Sequence, residues 1–352
     1  MTDISAIDLF CGAGGLTHGL INVGIPVLAG FDIDPTCKYP FETNNDSKFI
    51  CKDIREIIPD DLNEIYKETR IKILVGCAPC QPFSKHTQKQ KNREKGSKWN
   101  LLNEFLRLVK EIKPDIVSME NVSELAKYSI FENFVSSLKN NGYNLSVNRV
   151  FCPNYGIPQN RTRLVLLGSR LGEIKLLEPT HSKEEYVKVK DIIGNLPHIA
   201  AGETAQSDPL HRSPTLSPLN MQRIKQSKPN GTWRDWDSSL LNKCHKKKSG
   251  SSYPSVYGRM SEESPSPTIT TQFFCYGTGR FGHPAQDRAL SLREGALLQT
   301  FPPHYKFFNQ EKDMLSFKKL GTLIGNAVPV RLGEVVGISI LNHIKRLDYC
   351  HV

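Results

Sequence analysis

From Ser5 to Arg170 the chain alternates short apolar runs with stretches of helical period, and this alternation limits the possible folds more than any other feature. Ser5–Phe10, Val27–Ile33, Ile71–Val75, Asp115–Met119, Asn144–Phe151 and Leu164–Gly168 are short and apolar, the mark of buried strands. Leu16–Val23 and Phe131–Asn140 read as helices. So does the segment 99–112, where Leu101, Leu102, Phe105, Leu106, Val109 and Ile112 repeat at helical spacing. Strands alternating with helices predict an α/β fold built on a parallel sheet. Ligands of such sheets bind beyond the carboxyl ends of the strands, so functional residues are to be sought there.

The first strand end is rich in glycine. Cys11-Gly-Ala-Gly-Gly15 follows Phe10, and a helix begins at once. Glycines in that place let the backbone approach a ligand closely, and the helix start offers unpaired N–H groups. Thr17 stands where a dinucleotide fingerprint would have its third glycine, so this is a nucleotide-type loop of another kind. A tight packing turn is the alternative. The second strand ends in Asp32 and Asp34, about 20 residues after the loop, where a carboxylate suits ribose hydroxyls. Lys52-Asp53-Ile54 closes a third short strand. Asp53 alone would be a helix cap or a solvated residue, but three such ends in succession favour a cofactor cleft.

The run Ile71–Val75 stops at Gly76, and Pro79 and Pro82 bracket Cys80 and Gln81. Proline fixes φ and excludes helix, so Cys80 is displayed at a strand end on stiff, irregular backbone, as a nucleophile would be. Cys77 and Cys80 also make a Cys-x-x-Cys spacing, which suits a redox pair or half of a zinc site. No second pair supplies further ligands, so no metal is expected. Nucleophile, buried structural thiol and redox pair all stay open on these residues. In the next unit Glu120-Asn121-Val122 ends the strand Asp115–Met119, and a carboxylate there can face the same cleft. A surface glutamate is the plain alternative. Gln159, Arg161 and Arg163 alternate before Leu164, so as a strand they would project from one face.

A chain of 352 residues suggests two domains at ~150 residues each. With 46 Lys and Arg against 36 Asp and Glu the net charge is +10, which favours a polyanionic partner. No apolar run reaches the ~18 residues of a membrane span, and the chain opens directly on a strand, so neither a membrane anchor nor a leader is expected. Nine scattered cysteines fit a reducing cytoplasm. Residues 85–98 carry six Lys or Arg against one Glu, as a solvated face or as a loop that closes over a phosphate backbone. Beyond Arg170 the texture changes. Short segments mix Pro, Ser, Gly and Lys with aromatic residues, as in Trp233-Arg-Asp-Trp236, Lys246-Lys-Lys248 and Ser252-Tyr-Pro-Ser-Val-Tyr-Gly-Arg259. This predicts a second domain, loop-rich or β, with aromatic and basic residues that suit nucleic-acid contact. Gly325-Asn-Ala-Val-Pro329 then precedes a long amphipathic helix, expected to return to the first domain and cover its sheet.

Taken together these segments resemble the cytosine-C5 DNA methyltransferases over nearly the whole chain. Asp8-Leu-Phe-Cys-Gly-Ala-Gly-Gly15 looks like their cofactor loop, Pro79-Cys80-Gln81 like their nucleophile motif and Glu120-Asn121-Val122 like their acid motif. Gln159-x-Arg161-x-Arg163, Arg293-Glu-Gly-Ala-Leu-Leu-Gln-Thr-Phe-Pro302 and Gly325-Asn326 complete the family's order. One departure is Gly295, where alanine or cysteine is usual; it weakens a helix by ~1 kcal/mol. The resemblance implies a Rossmann-like, S-adenosylmethionine-dependent methyltransferase sheet with a smaller loop-rich or β target recognition domain. It divides the chain into a catalytic domain, 1–172 with 311–352, and a recognition domain, 173–310, that includes a hinge motif at 288–305.

The implied chemistry is covalent. A thiolate at Cys80 adds to C6 of cytosine and makes C5 enamine-like, splitting one hard step into two. A cysteine of pKa ~8.5 is largely protonated at neutral pH, so nearby positive charge helps, and Arg163 is a candidate source. Glu120 would bond and protonate N3. Asn121 would order the loop, with Gln159 and Arg161 completing the catalytic set. Asp32 would hold the ribose and Asp53 the adenine amino group. Phe10, Gly12, Gly14, Gly15, Leu16, Ile33, Ile54, Pro79, Asn326 and Ala327 would line the rest of the cofactor site. The resemblance further implies duplex DNA as partner, with the target base flipped out and the basic run 85–98 closing over it. A monomer is implied, paired functionally with a restriction endonuclease in a modification system. A transfer-RNA branch of the same family and a Cys-x-x-Cys redox enzyme are the competing readings. The variable region of roughly 115 residues favours DNA, because reading a duplex needs a bulky recognition domain.

Overall fold

A computed structural model describes residues 2–79, 100–247, 250, 253–309 and 316–349. They form two compact units. The first comprises 1–155, 162–180 and 328–352, and the second 156–161 and 181–327.

The first unit is the α/β body. Its elements begin with β1 (Thr2–Leu9), α1 (Gly15–Asn22), β2 (Val27–Asp32), α2 (Lys38–Asn44), β3 (Lys48–Cys51) and α3 (Pro59–Ile65). There follow β4 (Thr69–Gly76), α4 (Leu101–Ile112), β5 (Ile116–Val122), α5 (Ser129–Asn140) and β6 (Asn144–Phe151). After β7 (Gln159–Asn160), which lies in the second unit, β8 (Thr162–Ser169) completes the sheet. The strand order is β3-β2-β1-β4-β5-β8-β6. β1 to β5 run parallel, whereas β8 is antiparallel to both β5 and β6. Strand order departs in opposite directions from β1, to β2 on one side and β4 on the other. That is the switch point at which such sheets bind ligands.

Central parallel strands are covered on both faces and so read as continuous apolar runs. Ile7, Leu9, Ile73, Leu74, Val75, Ile116, Val117 and Met119 are accordingly fully buried. The helical stripe seen in the sequence of α4 supplies Leu102, Phe105, Leu106, Val109 and Ile112 to the core, joined by Leu108, where Phe131, Phe134 and Leu138 of α5 meet them. The last helix, α10 (Val330–Tyr349), belongs to this unit as expected and packs on α1. A Cβ on Gly19 would lie 2.3 Å from Val330 O, and one on Gly333 2.8 Å from Leu16 O, so the two helices touch backbone to backbone. The region Phe317–Leu347 holds an 18-residue window of mean hydropathy 1.4, apolar enough to cross a membrane; 78% of that window is buried in the protein, as a core helix would be.

The second unit has little regular structure. It contains α6 (Val189–Ile193), a hairpin of β9 (Thr204–Ala205) and β10 (Asp208–Arg212), and α7 (Pro218–Gln226). β11 (Ser266–Pro267) pairs in parallel with β7, and α8 (Leu292–Leu298) and α9 (Phe317–Asn326) follow. Several of its aromatic residues are core. Trp233, Trp236 and Tyr276 are buried with Ile224, Leu240 and Ala289. The His245 ring stacks on Trp233 at 4.3 Å, and the Arg223 guanidinium lies 5.3 Å from both the Trp236 and Tyr257 rings. The expectation that Trp233 and Trp236 contact nucleic acid is therefore corrected: both indoles close an interior. Gly295 also finds its reason here. A Cβ at that position in α8 would sit 2.0 Å from Phe273 Cε2, so the ring occupies the space a larger residue needs.

Two local expectations change. The third strand ends at Cys51, and Asp53 instead caps a single 3₁₀ turn by accepting from the Arg55 amide at 3.0 Å. The alternation Gln159, Arg161, Arg163 is not one strand face. The chain leaves β7 and enters β8 across Arg161, with Arg161 N bonded back to Gln159 O at 2.8 Å, which turns the first two residues away from the β8 ladder.

Candidate active site

In the first unit the candidate site residues gather at the carboxyl ends of the parallel strands, in two groups on either side of the switch point. The loop after β1 forms the first group. Phe10, Gly12 and Gly14 all have positive φ, 61°, 54° and 87°, a geometry that glycine adopts without penalty and phenylalanine does not. α1 starts on Gly14 without a side-chain cap, leaving its first amides to other partners. Gly12 N donates to Asp32 Oδ2 at 2.9 Å, and Asp34 N donates to Asp32 Oδ1 at 2.9 Å. Asp32 thus ties the loops after β1 and β2 together. Burial pushes its carboxyl above the usual range, against these amide bonds.

Beneath the loop Asp8 is fully enclosed. Thr17 Oγ1 donates to its Oδ2 at 2.7 Å, while the buried Oδ1 has no hydrogen-bond partner among the described residues. Burial raises its pKa to about 7. Ile33, just past β2, is 63% exposed, an apolar surface beside a polar loop. A Cβ on Gly12 would meet nothing within 4 Å, so open space adjoins the loop backbone. Tight loop, open space and exposed isoleucine fit a nucleoside-bearing cofactor such as S-adenosylmethionine. Gly15, Leu16 and Ile54 are buried supports of the same region. Asp53 is engaged by Arg55, whose side-chain hydrogen bond to it outweighs its slight burial and holds the carboxyl below its usual range.

The second group is built by strand register. Glu120 and Val122 share one face of β5 by the two-residue period. Arg163 lies directly opposite Val122, so it is the diagonal neighbour of Glu120 on that face, within reach of a long side chain. Its Nε stands 2.9 Å from Glu120 Oε1. Because β8 is antiparallel, its first residues lie at the same edge as the last residues of β5. On the other side Gly76 pairs with Met119 in parallel, so the next residue, Cys77, falls beside Glu120. Cys77 Sγ donates to Glu120 Oε2 at 2.8 Å. Glu120 is 4% exposed. Sequence reasoning misses the contact between Cys77 and Glu120; the parallel register of β4 and β5 is the signal that gives it.

Asn121 points to the opposite face, where its Nδ2 donates to Ala78 O at 3.0 Å and its Oδ1 accepts from Val122 N at 2.9 Å. It fixes the backbone that leads through Pro79 to Cys80. Cys80, Gln81 and the basic run 85–98 lie outside the described residues.

Gln159 and Arg161 belong to the second unit. Gln159 Nε2 donates to Leu298 O and Gln299 Oε1, each at 2.7 Å, and its Oε1 accepts from Ile269 N at 3.0 Å. Arg161 Nη1 donates to Ile269 O at 3.2 Å. These bonds explain why polar residues precede a core strand: they satisfy the interior of the second unit. Asn326 ends α9 as an exposed residue. Gln299 Nε2 donates to Ala327 O at 3.2 Å, and a Cβ on Gly325 would lie 2.4 Å from Thr270 O.

Comparison with known proteins adds four findings. The family model described as C-5 cytosine-specific DNA methylase matches residues 4–342. The Type II methylase M.HgiDII of Herpetosiphon aurantiacus is 52% identical over 346 residues, 97% of this chain and 96% of that protein. The Type II methyltransferase M1.HphI of Haemophilus parahaemolyticus is 28% identical, over 96% of this chain and 87% of its own length. Among solved structures, a prophage-encoded E. coli protein assigned as a DNA modification methyltransferase superposes with TM-score 0.73 at 20% identity, covering 97% of this chain and 100% of that one. At that identity the likeness bears on the fold.

Proposed function

Because the chain belongs to the C-5 cytosine-specific DNA methylase family, and is a DNA cytosine-C5 methyltransferase like its Type II relatives, we propose a residue-level account of how it carries out that reaction. The observation that carries the proposal is the cluster of Glu120, Arg163 and Cys77 at the strand edge that leads into Cys80.

Cys80 is the nucleophile. Its thiolate adds to C6 of a cytosine flipped from the duplex, and the electron pair displaced from the C5–C6 bond moves toward N3. Glu120 donates a proton at N3 and so neutralises the charge as it develops. Arg163 sets the carboxyl in place and adds positive charge where the cytosine carbonyl would lie. Asn121 holds the carbonyl of Ala78 and with it the approach to Cys80. S-adenosylmethionine, when bound, supplies the electrophilic methyl group to C5. Phe10, Gly12, Gly14 and Ile33 would line its site, with Asp32 on the ribose and Asp53 on the adenine. Loss of the C5 proton to a base, departure of Cys80 and return of the N3 proton to Glu120 restore the ring and the acid.

Gln159 and Arg161 then act as supports of the second unit, which we propose carries target recognition within residues 173–310. The enzyme would serve as a monomeric, cytoplasmic modification partner of a restriction endonuclease. Bisulfite sequencing of plasmid DNA from cells expressing the chain, beside cells expressing Cys80→Ser, tests the account. Protected cytosines at one short repeated motif, lost in the variant, are expected. Equal protection with Cys80→Ser would remove the nucleophile from the proposal.

A further inference from the structure

The acid cluster contains one side chain that the reaction above does not use. Cys77 Sγ donates to Glu120 Oε2 at 2.8 Å, and the backbone from which it projects is fixed on both sides. Its own amide donates to Leu9 O at 3.3 Å, which extends the β1–β4 ladder by one residue. Gly76 before it is pressed so close that a Cβ would lie 2.8 Å from Leu9 O. Ala78 after it is held through its carbonyl by Asn121. The thiol is aimed by the fold.

The two oxygens of Glu120 are treated differently. Oε2 takes the thiol. Among the described residues the buried Oε1 has no hydrogen-bond partner, and Arg163 Nε stands 2.9 Å away as an ion pair. A buried carboxylate with one oxygen engaged and the other lacking a hydrogen bond has a direction, and the second oxygen is the one prepared for a ligand.

We propose that Cys77 is a positioning residue for the reaction: its thiol holds Oε2 of Glu120 and leaves Oε1 to face N3 of the cytosine. The inference rests on Glu120 being the acid that meets N3. A rotatable S–H also suits both charge states of Glu120, donating to the carboxylate and accepting from the carboxylic acid. Among the described residues, the ionisable groups that face Glu120 are Cys77, from the turn after β4, and Arg163, from β8; the Asn121 amide is turned to Ala78. A donor to the ionised form lowers the affinity of a carboxylate for its proton. Cys77→Ala removes that donor, and Cys77→Ser puts another in the same place.

The test is the pH profile of single-turnover methyl transfer to duplex DNA by the full chain, Cys77→Ala, Cys77→Ser and Glu120→Gln. The limb missing from Glu120→Gln is the one that Glu120 governs. In Cys77→Ala that limb is expected to move to higher pH by roughly one unit, a tenfold change in proton affinity, with KM for DNA little altered. Cys77→Ser, whose hydroxyl also donates, is expected to bring it back. A limb in Cys77→Ala that coincides with the unmodified enzyme overturns the proposal, as does a serine variant that behaves like alanine. A rate and profile unchanged in Glu120→Gln would overturn the assignment of Glu120 as the acid, and with it the role of Cys77. Loss of rate in Glu120→Gln with no shift in Cys77→Ala would sink the role of Cys77 alone.

Discussion

Arg288→Met is expected to be among the most damaging single changes in the second unit, although it touches no reacting atom. Arg288 and Glu294 have fully buried side chains. Nη1 donates to Oε2 at 2.8 Å and Nη2 to Oε1 at 2.6 Å, while Glu294 also accepts from Ser291 N at 2.7 Å and so caps α8. Burial works against the ionised glutamate, but the bonds and charge of Arg288 outweigh it and hold the carboxyl below its usual range. Methionine keeps much of the apolar volume and removes the cation. Breaking a buried pair from one side costs about 3–5 kcal/mol, since the other charge is left uncompensated. At about 2–4 °C per kcal/mol for a unit of this size, the melting temperature should fall by roughly 10 °C.

The pH dependence should reverse as well. In the unmodified protein the depressed Glu294 contributes stability that is present above ~4.3, the ordinary glutamate value, and lost as pH falls through the folded value. In Arg288→Met burial is opposed only by His283, 3.5 Å away, and by the Ser291 amide. The folded pKa then rises, and the contribution is present at low pH and lost as pH increases. Thermal melts at acid and neutral pH read both effects, and Arg288→Met combined with Glu294→Gln should recover more than half of the loss. A cost below about 1 kcal/mol, the scale of a surface change, would refute this account of the pair.

Gly295→Ala should improve helix propensity by ~1 kcal/mol, yet the new Cβ would lie 2.0 Å from Phe273 Cε2. Overpacking at about 1–3 kcal/mol outweighs the gain, so chemical denaturation should show a net loss; a stabilised variant would mean the ring moves freely. Asp8, with its pKa raised to about 7 by burial, contributes stability that is full below the unfolded value and lost as pH rises toward neutrality. Asp8→Asn should flatten that decline, which amounts to roughly 4 kcal/mol at 1.36 per pKa unit; an unchanged slope would show that Asp8 is ionised in the fold.

What the sequence disclosed follows from where the determining forces act. The apolar runs at β1, β4 and β5 are continuous because both faces of those strands are covered, so period and composition report them directly. Glu120 and Asp32 could be placed at strand ends because a carboxylate that closes an apolar run marks the point where the covered sheet stops and the cleft begins. The one-face reading of Gln159, Arg161 and Arg163 failed because residues satisfying a second interior alternate just as a one-sided strand does. Trp233 and Trp236 misled because an aromatic–basic texture is shared by nucleic-acid surfaces and by small cores with stacked cations, as Arg223 over Trp236 shows. Contacts such as Cys77 with Glu120, or Phe273 with Gly295, depend on register and tertiary approach and leave no local trace. The capping box of Ser291 and Glu294 and the buried Arg288 that pairs with it emerge only in the folded unit.

The central claim is that Cys80, and not the neighbouring Cys77, forms a bond to cytosine during methyl transfer. A duplex bearing 5-fluorocytosine at the target base tests it most directly, since fluorine cannot leave C5 as the proton does and the enzyme–DNA bond persists. With S-adenosylmethionine present, the expected product is a denaturant-resistant one-to-one adduct that peptide mapping assigns to Cys80 and that Cys80→Ser does not form. An adduct mapped to Cys77, or methyl transfer to cytosine by Cys80→Ser, would contradict it.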